Sequence, residues 1–575
     1  MIPREKHLLL PIRILFILIV LGLVYMQIFM HRYYTKLSND NTIRIIPIDG
    51  PRGTIFDRNG VAMVSDRIAF DVAVVYQELK KKEKLIHLLN EELDIPLKNI
   101  KDAIEEACNK PYAPVTIVED IDAQKAFALE EASFDIDGLV IQTRSVRNYP
   151  FNKTGSHLFG YLSEISEEEL ASSGEYGYRK NGLLGRDGLE KYYNKYLAGI
   201  DGGLQMQVDN KGRYVRTLGL KEPSKGKDLH LAIDVNLQTV CDKVLEGKAG
   251  AAIVMNPSTG EILALSSAPG FDPNIFIRQE GSSDRLALIN DKRNYPLLNR
   301  AVSCLYQPGS VFKVVVASAA LEKNAISNGT RFNCSGIFTL GNAKFACWKE
   351  GGHGLQNIVE ALMNSCNIFF YNTGILVGAD NIEHYAMLFG FGKRTGIDIP
   401  DEARGIVPGK AWKRLYKNEA WYEGDTVNYS IGQGYLMVTP LQILEMMAVM
   451  ANKGDLVKPY IAKSIDTKDI SCTTRHRVGL SDETIRTVRT GLYKVVNDEN
   501  GTGKRAKVEG LAIAGKTGTA QNPSGKTHAW FSGFAPFDDA RICLVVFLEH
   551  GGKGGVEPSD MAREIFQEAK LRGYL

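Results

Sequence analysis

The sequence predicts an α+β protein with a single N-terminal membrane helix, and three observations carry that prediction. The first is an apolar run from Leu8 to Met30, interrupted only by Arg13 and Gln27. The second is a change of texture near residue 229, where short, mixed elements give way to a longer and more regular region. The third is the order within that region: a strand pair, then helices, then three strands and a closing helix. Strands at both ends of a domain with helices between them form one antiparallel sheet with helices packed on it.

At 575 residues the chain exceeds one ordinary core. The expected division is a cytoplasmic tail and anchor over 1–31, an N-terminal α/β domain over 32–228 and a second domain over 229–575. A composition of 44% hydrophobic and 24% charged residues is that of a folded protein, and a net charge of +2 gives no reason to expect a nucleic-acid partner.

The apolar run covers 23 positions, about 35 Å as a helix at ~1.5 Å per residue, enough for a hydrocarbon core of ~30 Å. A cleaved signal peptide is the alternative, but the run is long for one and no small-x-small site follows it. An uncleaved anchor is therefore expected. Arg4, Lys6 and Arg13 precede the span, so the tail is expected inside and the rest of the chain outside.

After the anchor, Pro51 to Gly60 reads as short β-type runs punctuated by Arg-Gly and Asn-Gly, and Phe70 to Tyr76 alternates like a strand. Residues 78–109 have helical spacing throughout. Gly182 to Tyr193 is a glycine-rich loop feeding a helix; without the G-x-G-x-x-G spacing it is structural rather than a dinucleotide site. Val208 to Leu218 is strand-like, and Lys221 to Lys227 reads as a domain boundary. Beyond it, Asp234 caps a helix to about Leu245, and Ala251 to Ser266 forms a hairpin. From Ser310 to about Leu388 the sequence is mainly helical. Strands are expected at 516–520, 528–534 and 542–548, with a helix over Pro558 to Lys570.

Chemistry enters at Gln307-Pro308-Gly309-Ser310-Val311-Phe312-Lys313. A new helix can start behind Pro-Gly, and on it positions i and i+3 are neighbours, which sets an amine beside a hydroxyl: a nucleophile and its base. Ser-x-x-Lys alone is common on solvated helix faces. Here it is followed, in order, by Ser365-Cys366-Asn367 and by Lys516-Thr517-Gly518-Thr519, the three motifs of penicillin-binding proteins and class A β-lactamases. Cys366 stands where that pattern has Asp; only Ser365 and Asn367 are expected to face the site.

On these residues the chain resembles the class B penicillin-binding proteins, membrane-anchored transpeptidases that cross-link bacterial peptidoglycan. The resemblance extends to Arg52-Gly53 through Gly60 and to Leu184 through Glu190 in an elongated pedestal. Phe271-Asp272-Pro273-Asn274, with Cys347-Trp348-Lys349 and Gly352-His353-Gly354, is most like the elongation-type penicillin-binding protein 2. It implies Ser310 as acylated nucleophile, Lys313 as its base, Ser365 and Asn367 as proton relay and substrate-amide contact, and Lys516 with Thr517, Gly518 and Thr519 as the carboxylate-binding strand. Backbone N–H groups of Ser310 and Thr519 would form the oxyanion hole. No cofactor is implied. The implied partners are stem peptides of nascent or lipid-linked peptidoglycan, a SEDS-family glycosyltransferase, other elongation proteins and β-lactams, at the bacterial plasma membrane. No appended C-terminal domain of the kind some division-type members carry is expected after Gly518.

Three other readings differ in testable ways. A β-lactamase or D,D-carboxypeptidase of the same fold would hydrolyse its acyl-enzyme; class A β-lactamases do so with a deacylating Glu, and no Glu-x-x-Leu-Asn lies between Asn367 and Lys516. A β-lactam sensor would carry several membrane spans. A scaffold would need none of Ser310, Lys313, Ser365, Asn367 and Lys516. The chain has eight cysteines, and Cys334, Cys347 and Cys366 lie close in sequence with His353 among them. A Cys334–Cys347 disulfide, a zinc site of those two with His353, and reduced thiols all stay open.

Overall fold

Five strands build the main sheet: β1 (Gly250–Met255), β2 (Ile262–Ala268), β3 (Ala514–Ala520), β4 (His528–Ala535) and β5 (Ile542–Leu548). Their order is β2-β1-β5-β4-β3, every pair antiparallel. The computed structural model describes residues 4–575 except 113, 167, 170–181, 210–213, 279–281, 472 and 523–524. Strands β1, β2 and β5 are buried along their whole length, which requires cover on both faces.

Five helices matter for that cover and for the site: α1 (Val235–Val244), α2 (Lys313–Glu322), α3 (Asn367–Val377), α4 (Pro440–Ala451) and α5 (Glu557–Leu571). Alternate side chains separate onto the two faces, as the period of 2 demands. Ala252, Val254, Leu544 and Val546 pack with Leu237, Ile565 and Phe566 of α1 and α5. Ile253, Val545 and Phe547 belong to the larger core that holds Leu444 and Met447 of α4. Asp234 caps α1 by accepting from the N–H groups of Asn236 and Leu237, as expected from sequence.

The chain folds as two compact units. One comprises the chain to Arg52, Asp66–Val146 and Ala198–Gly226; the other comprises Gly53–Ser65, Arg147–Leu197 and Lys227–Leu575. In the first, a helix over Arg4–Val24 leads through Tyr25–Phe29 into another over His31–Thr42, then into the strand Ile43–Ile48. Leu10–Phe29 is long and apolar enough to cross a membrane, the one such helix among the described residues. Ile43–Ile48 pairs with Gly202–Val208, which pairs with Tyr214–Lys221, so the strand expected over 208–218 is two strands. The helical stretch expected over 78–109 holds two helices, Lys82–Leu93 and Leu97–Glu106: Asp94 takes a left-handed φ of 56° and Pro96 follows, which ends the first helix.

The second unit draws in early sequence through buried polar contacts. Arg147 Nε donates to Glu190 Oε1 at 2.7 Å with both side chains fully enclosed. Asn274 of the Phe-Asp-Pro-Asn stretch clamps the backbone N–H and carbonyl of Tyr149, both at 3.0 Å. Asp57 accepts from the N–H groups of Asn59, Val61 and Val235. These motifs build the fold. The mainly helical stretch expected from 310 to 388 is interrupted by short strands at Phe332–Cys334, Ile337–Leu340, Ala343–Ala346 and Gly354–Gln356, because glycines with positive φ at 336, 341, 351, 352 and 354 turn the chain back on itself.

Candidate active site

The turn that carries Ser310 is locked before it begins. Tyr306 exchanges backbone hydrogen bonds with Val438, Trp530 Nε1 donates to the Gln307 carbonyl at 3.1 Å, and Gly309 N donates to the Gly432 carbonyl at 3.0 Å. Gly309 has φ +56°, and a Cβ there would lie 2.6 Å from the Thr519 carbonyl oxygen, so only glycine fits. Gly309–Phe312 is a 3₁₀ turn that runs into α2 at Lys313. Side chains three apart share one face of such a turn, which sets Ser310 and Lys313 on the same side. Val311 and Phe312 are buried, and Phe312 stacks on Tyr429 with ring centroids 5.5 Å apart.

Lys313 is fully buried, and its amine donates to Asn367 Oδ1 at 2.7 Å, to the Ser365 carbonyl at 2.9 Å and to Ser365 Oγ at 3.3 Å. Ser365 sits at φ +51°, just ahead of α3, of which Asn367 is the first residue. Lys516 lies on β3, also fully buried, with Nζ on the Thr517 carbonyl at 3.0 Å. Thr517 Oγ1 donates to Thr502 Oγ1 at 3.0 Å, and Thr502 Oγ1 donates to the Met363 carbonyl at 3.2 Å. A Cβ on Gly518 would come within 2.6 Å of Val311 Cγ2 and 2.9 Å of the Pro308 carbonyl, so β3 lies directly against the turn that carries Ser310. Thr519 is exposed.

Burial sets the electrostatics. Desolvation pulls the Lys313 amine down to about 8, against the small opposing effect of the nearby cysteines. Lys516 is pushed well below the ordinary lysine value, first by burial and then by the charge of Lys313. Lys313 thus adds to the lowering of Lys516.

Beside this centre, the donor atoms of Cys334, Cys347, His353 and Cys366 all lie within 4.8 Å of one another. His353 Nδ1 is 3.5 Å from the sulfurs of both Cys334 and Cys347. Two ligands at the usual zinc–sulfur and zinc–nitrogen lengths with a tetrahedral angle are about 3.6 Å apart, so the set fits Zn²⁺. Cys347 is pulled down chiefly by the Cys366 hydrogen bond, helped by His353, while that bond pushes Cys366 up. The described cysteines are all free thiols, so Cys334 and Cys347 form no disulfide; Cys472 lies outside the described residues. Zinc bound here would supply structural rigidity, the four ligands being protein side chains.

Two models of known families match. Residues 47–231 match the penicillin-binding protein dimerisation domain, and residues 250–568 match the penicillin binding protein transpeptidase domain. The chain belongs to this penicillin-binding protein family. It is 32% identical to the peptidoglycan D,D-transpeptidase MrdA of Salmonella typhimurium over 582 residues, 95% of this chain and 92% of that one. Among solved structures it is similar to the penicillin-binding protein (PBP2) in complex with MreC from Helicobacter pylori, with 29% identity, TM-score 0.80, and 93% and 100% of the two chains covered. It is also similar to a chain of a peptidoglycan synthase complex that coordinates polymerization and crosslinking, with 29% identity, TM-score 0.77 and 98% of both chains. The chain is thus a class B penicillin-binding protein of PBP2 type, with the dimerisation pedestal, the transpeptidase domain and the α+β architecture of that group.

Within this penicillin-binding protein, the fold brings Lys313, Ser365 and Asn367 into hydrogen-bonding contact, with Ser310 one turn away. It also brings Cys334, Cys347 and His353 together. Sequence reasoning missed three residues. Cys366 lies outside the zinc set expected from sequence, Cys334, Cys347 and His353, although its place near them is the signal for a fourth ligand. Thr502 carried no signal, being 15 residues from Thr517 in sequence. Trp348 was noticed only as part of the resemblance.

Proposed function

We propose that this chain is a peptidoglycan D,D-transpeptidase that acts through a Ser310 acyl-enzyme. The observation that carries the reading is the Lys313 amine, buried, held down near 8 and bonded to Ser365 and Asn367, one 3₁₀ turn after Ser310. At pH 7 such an amine is neutral in about one molecule in ten, against about one in three thousand at the ordinary lysine value. Lys313 takes the Ser310 proton as Oγ attacks the carbonyl between the two terminal D-alanines of a stem peptide. The C–N bond breaks, D-alanine leaves with a proton relayed through Ser365, and an ester on Ser310 remains. An amine of a neighbouring stem peptide then attacks that ester, loses a proton to the same base and restores the Ser310 hydroxyl. Asn367 orients the substrate amide; Lys516, Thr517 and Thr519 on β3 meet the terminal carboxylate. The N–H groups of Ser310 and Thr519 stabilise the oxyanion, each worth about 3 kcal/mol.

The apolar helix anchors the chain in the plasma membrane by a single span, with residues after about 31 outside. The segment over 32–228 serves as the pedestal, and it meets elongation partners, among them a SEDS-family glycosyltransferase. An MreC-like partner is supported by the likeness to the Helicobacter pylori complex. β-Lactams mimic the D-alanyl terminus and acylate Ser310. Incubation of the full-length protein with a labelled penicillin is expected to give one lasting adduct on the Ser310 peptide, lost in Ser310→Ala. Rapid drug turnover would indicate a β-lactamase, no adduct a scaffold, and labelling of Ser310→Ala a different nucleophile.

A further inference from the structure

Trp348 is 58% exposed, so burial does not explain where it sits. Its indole N–H is shared between two consecutive carbonyls, that of Asn364 at 3.0 Å and that of Ser365 at 3.2 Å. The Ser365 carbonyl is the same one that accepts from Lys313 Nζ at 2.9 Å. Ser365 itself holds a left-handed φ of +51°, a conformation that a non-glycine residue keeps only when its surroundings impose it. Two donors converging on one carbonyl supply that constraint. They fix the peptide plane after Ser365, and with it the direction of a side chain whose Oγ lies 3.3 Å from Lys313 Nζ.

The tryptophan is held in turn. It follows Cys347 directly, and its ring packs edge-on against His353 with centroids 5.2 Å apart. The indole is therefore positioned by the cysteine–histidine loop and delivers that position to Ser365. We infer that Trp348 is a positioning residue for acylation, its N–H holding the Ser365 backbone so that the hydroxyl faces Lys313. The inference rests on the reading of Ser310 as nucleophile and of Ser365 as relay.

The test removes one hydrogen and little else. Trp348 is replaced in the full-length protein by its benzothiophene isostere, in which sulfur stands for the indole N–H, and in parallel by Phe (W348F). Acylation by a labelled penicillin is followed over drug concentration, which separates initial binding from the acylation step. Both variants are expected to acylate about five- to tenfold more slowly, the size of one lost hydrogen bond, with initial binding and thermal midpoint unchanged. An isostere that acylates like the native protein, or a loss confined to initial binding, would overturn the inference and leave the ring as a mere wall of the cleft. Absence of any adduct on the native protein would overturn the nucleophile reading itself, and this inference with it.

Discussion

Lys313 Nζ and Asn367 Oδ1 are 2.7 Å apart at a point where the amine is fully enclosed by protein. Among the described residues no carboxylate acts on that amine: its largest influence is desolvation, opposed by Cys366, Cys347 and Cys334. An acid partner would have raised its pKa and spoiled it as a base.

Acylation is therefore expected to follow the neutral fraction of Lys313. The base works unprotonated, so the second-order rate constant with a penicillin should rise with pH and level off above about 8. Lys313→Arg keeps a cation that does not deprotonate near neutral pH and should lose about 10²- to 10⁴-fold. Stopped-flow acylation from pH 6 to 9.5 measures both. A flat profile in the native protein would count against Lys313 as the base.

The Cys334, Cys347, His353 and Cys366 cluster is expected to hold about one zinc per chain. Elemental analysis of protein purified without added metal should find it, and Cys347→Ser and Cys366→Ser should lose it together with thermal stability. Because the thiols and imidazole must shed protons to bind, retention should weaken as pH falls. Ready labelling of the three thiols with no metal present would leave only reduced cysteines.

Steric closure of the cleft predicts a sharp glycine dependence. Gly309→Ala places a methyl 2.6 Å from the Thr519 carbonyl at a positive φ, and should cost about 1–3 kcal/mol and most of the acylation rate. Gly329→Ala, whose nearest contact would be 3.8 Å away at an ordinary backbone angle, should change neither. Melting curves and penicillin labelling of the two variants make the comparison.

Replacing Arg147 by Met takes its guanidinium away from a fully enclosed Glu190 and should cost about 3–5 kcal/mol. Replacing both residues by Met should recover part of that loss, because the carboxylate that Arg147 balanced is gone as well. Urea titrations of the single and double variants decide; equal stability of all three proteins would mean that the pair does not hold Arg147–Leu197 in its unit.

Sequence by itself determined the membrane-length apolar span, the α+β class and the three motifs at 310, 365 and 516, because each is a local property. Apolar length needs only composition, strand and helix periods need only a dozen residues, and each motif carries its functional groups within four positions. The tertiary structure alone decided what those groups experience. Ser-x-x-Lys does not say that Lys313 is enclosed, and the desolvation that lowers its pKa arises where the chain brings Ser365 and Asn367 onto the amine. Cys366 joins Cys334 only because short strands fold back between them, and Trp348 reaches Ser365 across 17 residues of chain. Such contacts arise from chain reversal at particular glycines, and a one-dimensional pattern records the glycines without recording where the returning strand will land.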